Sequence, residues 1–548
     1  MTTVICSHAA VAQKSYGTEK RFLCPPPVVR IEGPTWHLQD QQLSMVVVSE
    51  IGERSFEQKA PLDGGMTCSF KSLHVGGTAK AKSFQLSLEV AEPSPHSVSE
   101  GSEEGSEPPP GRTWATFDSA PVSIISKPSK KTAKTRNIAS CILAGGPVSL
   151  FNRINSQTVR TKYMTIDGGQ LCASNGLWSA FSVTVVRRPG DQPPTGGPSP
   201  VTYGCEIVLV DDATGVPTPP LIIRKVDKGR VLFDDGGPVS QMQKIVLLRV
   251  NMDGTRHYLS ASTPVNGNPG SPTGQSGVTH QLLFQAARTR EEAKDGMMSA
   301  FDEVDDYLCW TIVGISKFQY TFFDAFDRGD FIPSMPITPF PTLFSAPIYR
   351  AQDSLLELTA SHFFYEHPIT RGQVPLDVFI GSLGPLSLRL FHPNPPGPLV
   401  RIQTYPTRSE EHGDHTAPLE AFLPTAANTV VMVELPPIEN IMKALRDSDP
   451  AVAEASTGNT ASGPGSAPPT PASFLGRAIP LLFVRAADGV GYHSGRTIIC
   501  ESLFHPIPLP DPAMLAANGQ TIDTNWLVAQ TPVATTDSPL HGWTLRVI

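Results

Sequence analysis

The residues with the clearest potential chemistry lie near the start of the chain, in the sequence QKSYGTEKRFLCPPP at positions 13–27. Lys14, Lys20 and Arg21 supply positive charge, and Tyr16 lies between the two lysines. Cationic groups of this kind contact anions, yet the whole chain carries a formal net charge of −8. The question is therefore what an acidic protein would bind through such a basic loop.

A second basic segment lies between residues 119 and 166, where the sequence contains no Asp or Glu. This segment carries +8, so the rest of the chain sums to −16. Its cationic residues are Lys127, Lys130, Lys131, Lys134, Arg136, Arg153, Arg160 and Lys162. A localised positive segment is a candidate contact for a polyanion, and such contacts are salt-dependent because they release counterions. The alternative is a solvated tether at Ser126–Arg136, and a tether between two domains can also lie along a phosphate backbone.

The sequence lacks the motifs that build an enzyme active site. It contains no G-x-x-x-x-G-K-[ST], H-E-x-x-H or G-x-S-x-G, and His412 and His415 in a polar loop are a weak metal candidate. We therefore predict no catalytic residue, no metal site and no cofactor. The eight cysteines form no C-x-x-C pair, so we expect them to be reduced and mostly buried. No apolar run approaches the ~18 residues that span a bilayer and no signal peptide is evident, so we expect a soluble intracellular protein with no membrane partner.

The elements that must position the basic residues are mainly β-strands. Ser83–Val90 alternates, with Phe84, Leu86, Leu88 and Val90 on one face, which predicts a half-buried antiparallel strand. Similar apolar runs occur at 45–51, 181–186, 205–210, 221–226, 244–250, 429–435 and 479–484. Many short strands separated by turns favour sandwiches or barrels. Helices are predicted only at Ile438–Leu445 and, beginning at REEAK, within Thr289–Asp306.

Three segments contain too few apolar residues to order themselves and are predicted to be disordered loop insertions. They are residues 93–111, 187–200 and 455–472. They leave folded blocks at about 1–135, 140–335 and 336–510. Residues 511–548 then form a tail rich in Pro and Ala.

Several further stretches follow in a fixed order. They are ISKPSKK (125–131), LFNRINSQTVRTKY (150–163), LIIRKVDK (221–228), PVSQ (238–241), WTI (310–312) and YTF (320–322). Together with QKSYGTEKRFLCPPP they closely resemble the CSL family, the DNA-binding proteins that include Suppressor of Hairless. The resemblance thins in the third block, where LELTASHF (356–363), DVFIG (377–381) and VRAADGVGY (484–492) are similar to an immunoglobulin-type transcription-factor domain.

The resemblance implies an all-β protein of three domains. The first is a Rel-homology-like β-sandwich over 1–135, which includes the basic linker 126–136. The second is a β-trefoil over 140–335, and the third is a C-terminal, Rel-like immunoglobulin-fold domain of the IPT/TIG type over 336–510. In this family the first two domains hold double-stranded DNA, the recognised site contains GTGGGAA, and the protein binds as a monomer in the nucleus.

The resemblance also implies which residues contact DNA. The family's recognition loop corresponds to Lys14, Ser15, Tyr16, Gly17, Glu19, Lys20 and Arg21. Arg21 can present its planar guanidinium to O6 and N7 of a guanine in the major groove, whereas the two lysines suit phosphates. Glu19 can either accept from a cytosine amine or orient Arg21. The alternative for this stretch is an ordinary surface hairpin.

Two later segments resemble DNA contacts of the family as well. The linker residues Lys127, Ser129, Lys130 and Lys131 correspond to phosphate contacts, which carry little sequence information. In the β-trefoil, Arg153 would contact the DNA backbone. Ser156 and Gln157 are short polar residues suited to the minor groove, although Ser-Gln pairs occur in many loops.

The chain departs from animal family members in one region. Those members bind the Notch peptide and several corepressors in a groove of the β-trefoil that is lined by aromatic and branched residues. The corresponding sequence here is RRPGDQPPTGGPSP (187–200), and its prolines and glycines cannot continue a central strand. We therefore expect no binding of a Notch-type peptide. The inserted loops resemble those of fungal members.

The leading hypothesis is a sequence-specific transcription regulator of RNA polymerase II genes that recruits co-activators or corepressors and is not an enzyme. A chromatin scaffold with weak DNA selectivity is the first alternative, because the acidic loops would favour protein partners. A β-trefoil glycan binder is the second alternative. The +8 segment and the missing signal peptide argue against it.

Overall fold

A computed structural model of the chain consists mainly of β-strands. It describes residues 1–16, 20–34, 41–76, 81–93, 111–125, 140–153, 161–190, 199–262, 279–294, 297–328, 332–333, 335–392, 400–402, 405–406, 419–420, 428–447, 478–502 and 543–547. These residues form two compact units, 2–320 and 321–548, with Met1 grouped with the second. Each unit is described by itself below.

The first 125 residues form two sheets. Their strands are β1 (Thr2–Ala9), β2 (Val11–Gln13), β3 (Val28–Glu32), β4 (Gln42–Ser49), β5 (Arg54–Ala60), β6 (Thr67–Ser69), β7 (Ser83–Ala91), β8 (Thr113–Asp118) and β9 (Val122–Ile125). In one sheet β3 pairs antiparallel with β1 and β6. In the other the order is β2-β9-β7-β4-β5, with β8 beside β7. The pairing of β2 with β9 is parallel and joins the two ends of this region.

Alternating side chains explain why these strands form. In β7, Phe84, Leu86, Leu88 and Val90 are all buried, as the period of two predicts. Strand β4 lies between β5 and β7, which accounts for its less regular pattern of consecutive buried residues. The strand at 45–51 is therefore confirmed, although it begins at Gln42 and ends at Ser49.

Residues 140–320 form a second set of antiparallel strands, for which the β-trefoil was predicted. They are β10 (Pro147–Arg153), β11 (Thr161–Asp167), β12 (Gln170–Ser174), β13 (Phe181–Arg187), β14 (Glu206–Asp211), β15 (Leu221–Asp227), β16 (Arg230–Leu232), β17 (Gln243–Val250), β18 (Arg256–Ser260), β19 (Thr279–Gln281), β20 (Leu283–Ala286), β21 (Arg288–Lys294), β22 (Met297–Glu303) and β23 (Trp310–Asp324). One core joins them, and Leu150, Phe181, Ile223, Leu247 and Trp310 are fully buried in it.

The helix predicted within Thr289–Asp306 is wrong, because Arg288–Lys294 and Met297–Glu303 pair as an antiparallel hairpin. The charges of this segment meet across strands instead of along one helix face. Arg290 Nε lies 2.6 Å from Glu303 Oε2 on the paired strand. Glu292 Oε2 accepts from Arg230 Nη1 at 2.9 Å. The only helical element here is a 3₁₀ turn at Asp306–Leu308, among the residues the structure describes.

The unit that begins at residue 321 contains the end of β23 and fourteen further strands. They are β24 (Thr342–Leu343), β25 (Ile348–Arg350), β26 (Leu355–Ser361), β27 (Phe364–Glu366), β28 (Gln373–Pro375), β29 (Asp377–Ile380), β30 (Leu388–His392), β31 (Val400–Arg401), β32 (Tyr405–Pro406), β33 (Leu419–Glu420), β34 (Thr429–Glu434), β35 (Ala478–Arg485), β36 (Val490–Ser502) and β37 (Trp543–Val547). The predicted helix is confirmed as α1 (Ile438–Asp447), which buries Ile441 and Leu445. Strand β37 pairs with β36, so the segment predicted as a tail contains a strand.

Other expectations have mixed outcomes. All the predicted strand runs are confirmed, and the seven cysteines whose side chains the structure describes are free and buried. Within the segment 187–200, residues 187–190 and 199–200 are ordered. Arg188 donates to Ser199 Oγ at 2.7 Å and to the Pro200 carbonyl at 3.2 Å. The predicted insertion 93–111 lies almost entirely outside the described residues, and 455–472 lies wholly outside them. No described helix has the length and apolar character needed to cross a membrane.

Candidate nucleic-acid interface

The recognition loop, residues 14–21, leaves a well-anchored strand. β2 ends at Gln13, and the amide of Lys14 donates to the Ile125 carbonyl at the end of β9 at 3.0 Å. The next amide, that of Ser15, donates to the Val75 carbonyl at 3.1 Å. The loop therefore begins from a fixed position between two other chain segments.

The loop is closed from within by the hydroxyl of Ser15. This side chain is buried, and its Oγ accepts from the amide of Arg21 at 3.0 Å. The segment that follows is held as well, because the Leu23 amide donates to the Leu73 carbonyl at 2.8 Å. Ser15 was predicted among the DNA contacts, and in the structure its hydroxyl shapes the loop. Residues 17–19, which include the predicted contacts Gly17 and Glu19, lie outside the described residues.

Aromatic rings support the end of the loop. Phe22 forms a β-bridge with His74, and their ring centroids lie 5.9 Å apart in an edge-on arrangement. The other side of the His74 ring contacts Phe56, with centroids 3.8 Å apart. Phe56 adopts a φ of 51°, a value rarely found outside glycine. The backbone just beyond Arg21 is therefore supported by a cluster of three rings.

Arg21 lies at the surface of the recognition loop. Its guanidinium carbon is 5.3 Å from the centroid of the Tyr16 ring, and Tyr16 is 42% exposed. An exposed cation–π contact contributes only about 0.5–1 kcal/mol, less than the 1–3 kcal/mol typical of a bidentate contact to a base. A bidentate contact to a base would therefore outweigh the loss of this ring contact. Lys20 beside it is exposed, whereas Arg21 itself is half-buried.

Arg153 ends strand β10 and faces the interior. Its guanidinium carbon lies 5.0 Å from the centroid of the Phe151 ring, which is only 2% exposed. Its Nη2 lies 2.6 Å from Cys24 Sγ, although the two residues are 129 positions apart in sequence. Its Nε is buried and has no hydrogen-bond partner in the described structure. A phosphate would have to approach the remaining edge of the guanidinium.

Cys24 connects the segment after the recognition loop to the trefoil region. Its thiol is 3.5 Å from the hydroxyl of Tyr163, on strand β11 next to β10. Burial raises the pKa of Tyr163, so this hydroxyl stays protonated. Nearby, Trp178 Nε1 donates to the Pro26 carbonyl at 2.9 Å. An apolar cluster surrounds these contacts and includes Ala9, Val11, Cys24, Phe151, Tyr163, Met242, Val313 and Ile315.

The structure thus brings the recognition loop close to Arg153, two of the three predicted contact regions. The remaining predicted contacts, Lys127, Ser129, Lys130, Lys131, Ser156 and Gln157, lie outside the described residues. One cation of the basic segment does not face outward. Lys162 Nζ donates to the Ala261 carbonyl at 3.1 Å, and partial burial lowers its pKa. The charge count alone therefore overstates the positive surface of this segment.

Sequence reasoning missed Cys24, Tyr163 and Trp178. The signal that was available is the sequence FLC directly after the basic loop, since Phe, Leu and Cys are among the residue types most often buried. In the structure the three prolines that follow it are buried. No sequence pattern indicates the partner strand, because Cys24 and Tyr163 meet only through the packing of two regions.

The described part of the region expected to differ from animal members contains a cavity of about 380 Å³. It is lined by Val183, Val185, Val186, Ala144 and Arg188, among others. Residues 191–198, on which the expectation about a Notch-type peptide depends, lie outside the described residues. That expectation therefore stays a prediction.

Two protein-family profiles match the first half of the chain, and the first of them covers the recognition loop. The profile described as "LAG1, DNA binding" matches residues 4–60 and 39–139. The profile described as "Beta-trefoil DNA-binding domain" matches residues 167–265.

Curated relatives extend the similarity over most of the chain. "Transcription factor cbf11" of Schizosaccharomyces pombe is 31% identical over 418 residues, which are 71% of this chain and 62% of that protein. The human "Recombining binding protein suppressor of hairless-like protein" is 32% identical over 410 residues, which are 69% of this chain and 70% of that protein. This chain belongs to the CSL family. "Transcription factor cbf12" of S. pombe is more distant, at 22% identity over 60% of this chain and 40% of that protein.

Membership of the CSL family confirms the predicted fold class, since the described chain is almost entirely strand and both matching profiles are DNA-binding domains. The family is one of DNA-binding transcription factors, which are not enzymes. The chain spans 62% of the length of cbf11. A solved botulinum neurotoxin serotype G binding domain aligns over 57% of this chain and 77% of that chain with a TM-score of only 0.11 and 10% identity.

Proposed function

We propose that this protein reads a GTGGGAA-type site in double-stranded DNA as a monomer, acts in the nucleus on genes transcribed by RNA polymerase II, and recruits co-regulators. The observation that carries the proposal is the contact between Cys24 and Arg153. It holds the segment after the recognition loop against the last residue of β10, so that two separate regions can engage one duplex.

The division of labour between the residues follows from their chemistry. Arg21 has the planar guanidinium fork that matches guanine in the major groove. It stacks on the exposed ring of Tyr16. Lys14 and Lys20, with the linker lysines at 127, 130 and 131, supply contacts to phosphates. Arg153 contacts the backbone from the trefoil region, and Ser156 and Gln157 read the minor groove. Phosphate contacts set the register, and Arg21 sets the base preference.

The proposal is tested by fluorescence anisotropy with a labelled duplex containing CGTGGGAA and a scrambled duplex of the same composition. Titrations over a salt series separate the two contributions, because counterion release affects both duplexes alike. A cognate preference of about 10³-fold or more that persists as salt rises supports the proposal. Equal affinities that vanish together with salt contradict it and favour the scaffold alternative. Sedimentation of the complex then reports whether one protein binds each duplex.

A further inference from the structure

The contact between Cys24 and Arg153 extends to a third residue, Tyr163. We define these three residues as the junction cluster. Cys24 lies three residues after Arg21, and it is 3% exposed. The other two members belong to paired strands of the trefoil region, β10 and β11. The cluster is therefore the point where the recognition loop and Arg153 are connected by side chains.

We propose that Cys24 is a positioning residue for DNA reading: its sulfur holds the guanidinium of Arg153 and thereby fixes the spacing between Arg153 and the recognition loop. This inference rests on the proposed function. Two features of the structure support it. The sulfur faces both Arg153 Nη2, at 2.6 Å, and the Tyr163 hydroxyl, at 3.5 Å. The backbone of the same segment is tied to the trefoil region through the bond from Trp178 to Pro26.

The recognition loop has little freedom to compensate if the junction cluster is lost. Its two ends are fixed by hydrogen bonds to the Ile125, Val75 and Leu73 carbonyls, and Ser15 closes it internally. A change in spacing would therefore move the loop as a body relative to Arg153. A bidentate contact to a base depends on geometry to within a fraction of an ångström, whereas a phosphate contact tolerates small shifts. Loss of the cluster should thus reduce base preference more than general DNA affinity.

The test compares Cys24→Ala with Cys24→Ser in the full chain. The two variants are nearly equal in size, but only serine keeps a hydrogen-bond acceptor facing Arg153. We expect Cys24→Ala to lower the cognate-to-scrambled affinity ratio roughly tenfold, a size typical of coupled neighbouring groups, with the salt slope unchanged. Cys24→Ser should recover most of that ratio. A purely structural role predicts equal ratios for the two variants.

A second variant covers the case in which Cys24→Ala does not fold. Tyr163→Phe removes only the hydroxyl and should lower the ratio about threefold, in the same direction. Its matched control is Tyr320→Phe. This substitution also removes one hydroxyl, which donates to the Asp118 carbonyl at 2.9 Å. Tyr320 belongs neither to the recognition loop nor to the junction cluster. The control should leave the ratio as in the wild type while lowering the melting temperature by a similar amount.

The outcomes separate the two proposals. If the wild type prefers the cognate duplex but Tyr163→Phe, Cys24→Ala and Cys24→Ser all keep its ratio, the positioning role is wrong and the proposed function stands. If a variant weakens both duplexes equally and reduces the salt slope by about one phosphate, Arg153 acts only as a phosphate contact and the positioning role is again wrong. If the wild type itself shows no preference, the proposed function fails, and this inference fails with it.

Discussion

Arg21 and Arg153 are both arginines stacked on an aromatic ring at almost the same distance, but they lie in opposite environments. Arg21 is 5.3 Å from the ring of Tyr16, which faces solvent. Arg153 is 5.0 Å from the ring of Phe151, which is buried, and its Nη2 contacts a buried thiol. The two guanidinium groups are both half-buried, but the first stacks on an accessible ring and the second on a ring inside the protein.

The difference teaches that a match to a family motif does not by itself give a residue its role. Both arginines were predicted to contact DNA on the same grounds. Their surroundings support the different roles proposed for them, base reading for Arg21 and a fixed position for Arg153. The same holds for Ser15, whose hydroxyl closes the recognition loop.

The largest effect that tests this comparison is expected from Arg21→Ala. It should cost about 1–3 kcal/mol on the cognate duplex, or roughly 5- to 150-fold in affinity, and relax the base preference, because the bidentate contact is lost. Anisotropy on cognate and scrambled duplexes measures both quantities. Arg30→Ala is the matched control, since Arg30 lies on β3 in an ion pair with Glu32 and outside the reading regions. Equal losses on both duplexes would remove the proposed role of Arg21.

A smaller effect is expected from Lys130→Ala in the basic linker. The variant should weaken cognate and random duplexes by the same factor and reduce the salt slope by about 0.9, because one phosphate contact is lost. Lys59→Ala removes the same charge from the exposed edge strand β5 and should leave the slope unchanged. A change in base preference with Lys130→Ala would contradict the assignment of this lysine to phosphates.

The smallest effect concerns the dependence of stability on pH. His8 on β1 is buried beside Phe318, and burial lowers its pKa below the usual 6.5. The unfolded chain then binds more protons than the folded one below about pH 6.5, so the free energy of unfolding falls as the pH is lowered through that range. Burial lowers the pKa of His493 in the same direction.

Thermal unfolding between about pH 7 and pH 5.5 measures this dependence. His8→Asn should flatten it, and a curve identical to that of the wild type would show that His8 does not contribute. The cognate-to-scrambled ratio should stay constant over the same range. A ratio that falls with pH would mean that a titrating group, and not only arginine, takes part in base reading.

The sequence was sufficient to predict the fold class and most strands, because alternation is a local property. It failed at 289–306, where charges that suit a helix pair across a hairpin. It could not show that Arg153 meets Cys24, because that contact depends on the packing of two regions. Family motifs such as LIIRKVDK contain residues that pair with other residues of the same protein. Lys225, for example, forms an ion pair with Asp235 at 2.7 Å.

The parallel pairing of β2 with β9 has a consequence for the growing chain on the ribosome. Residues 11–13 can pair only after residues 122–125 have been made, and Cys24 can form its contacts only after Arg153 and Tyr163 have been made. The Ala10 amide donates to the carbonyl of Gly314, which is made later still. At 5–20 residues per second, the interval between synthesis of Ala10 and of Gly314 is roughly 15–60 s. The recognition loop is anchored earlier, once Leu73, Val75 and Ile125 have been made. A nascent chain would therefore shape its basic loop before the trefoil region can support it.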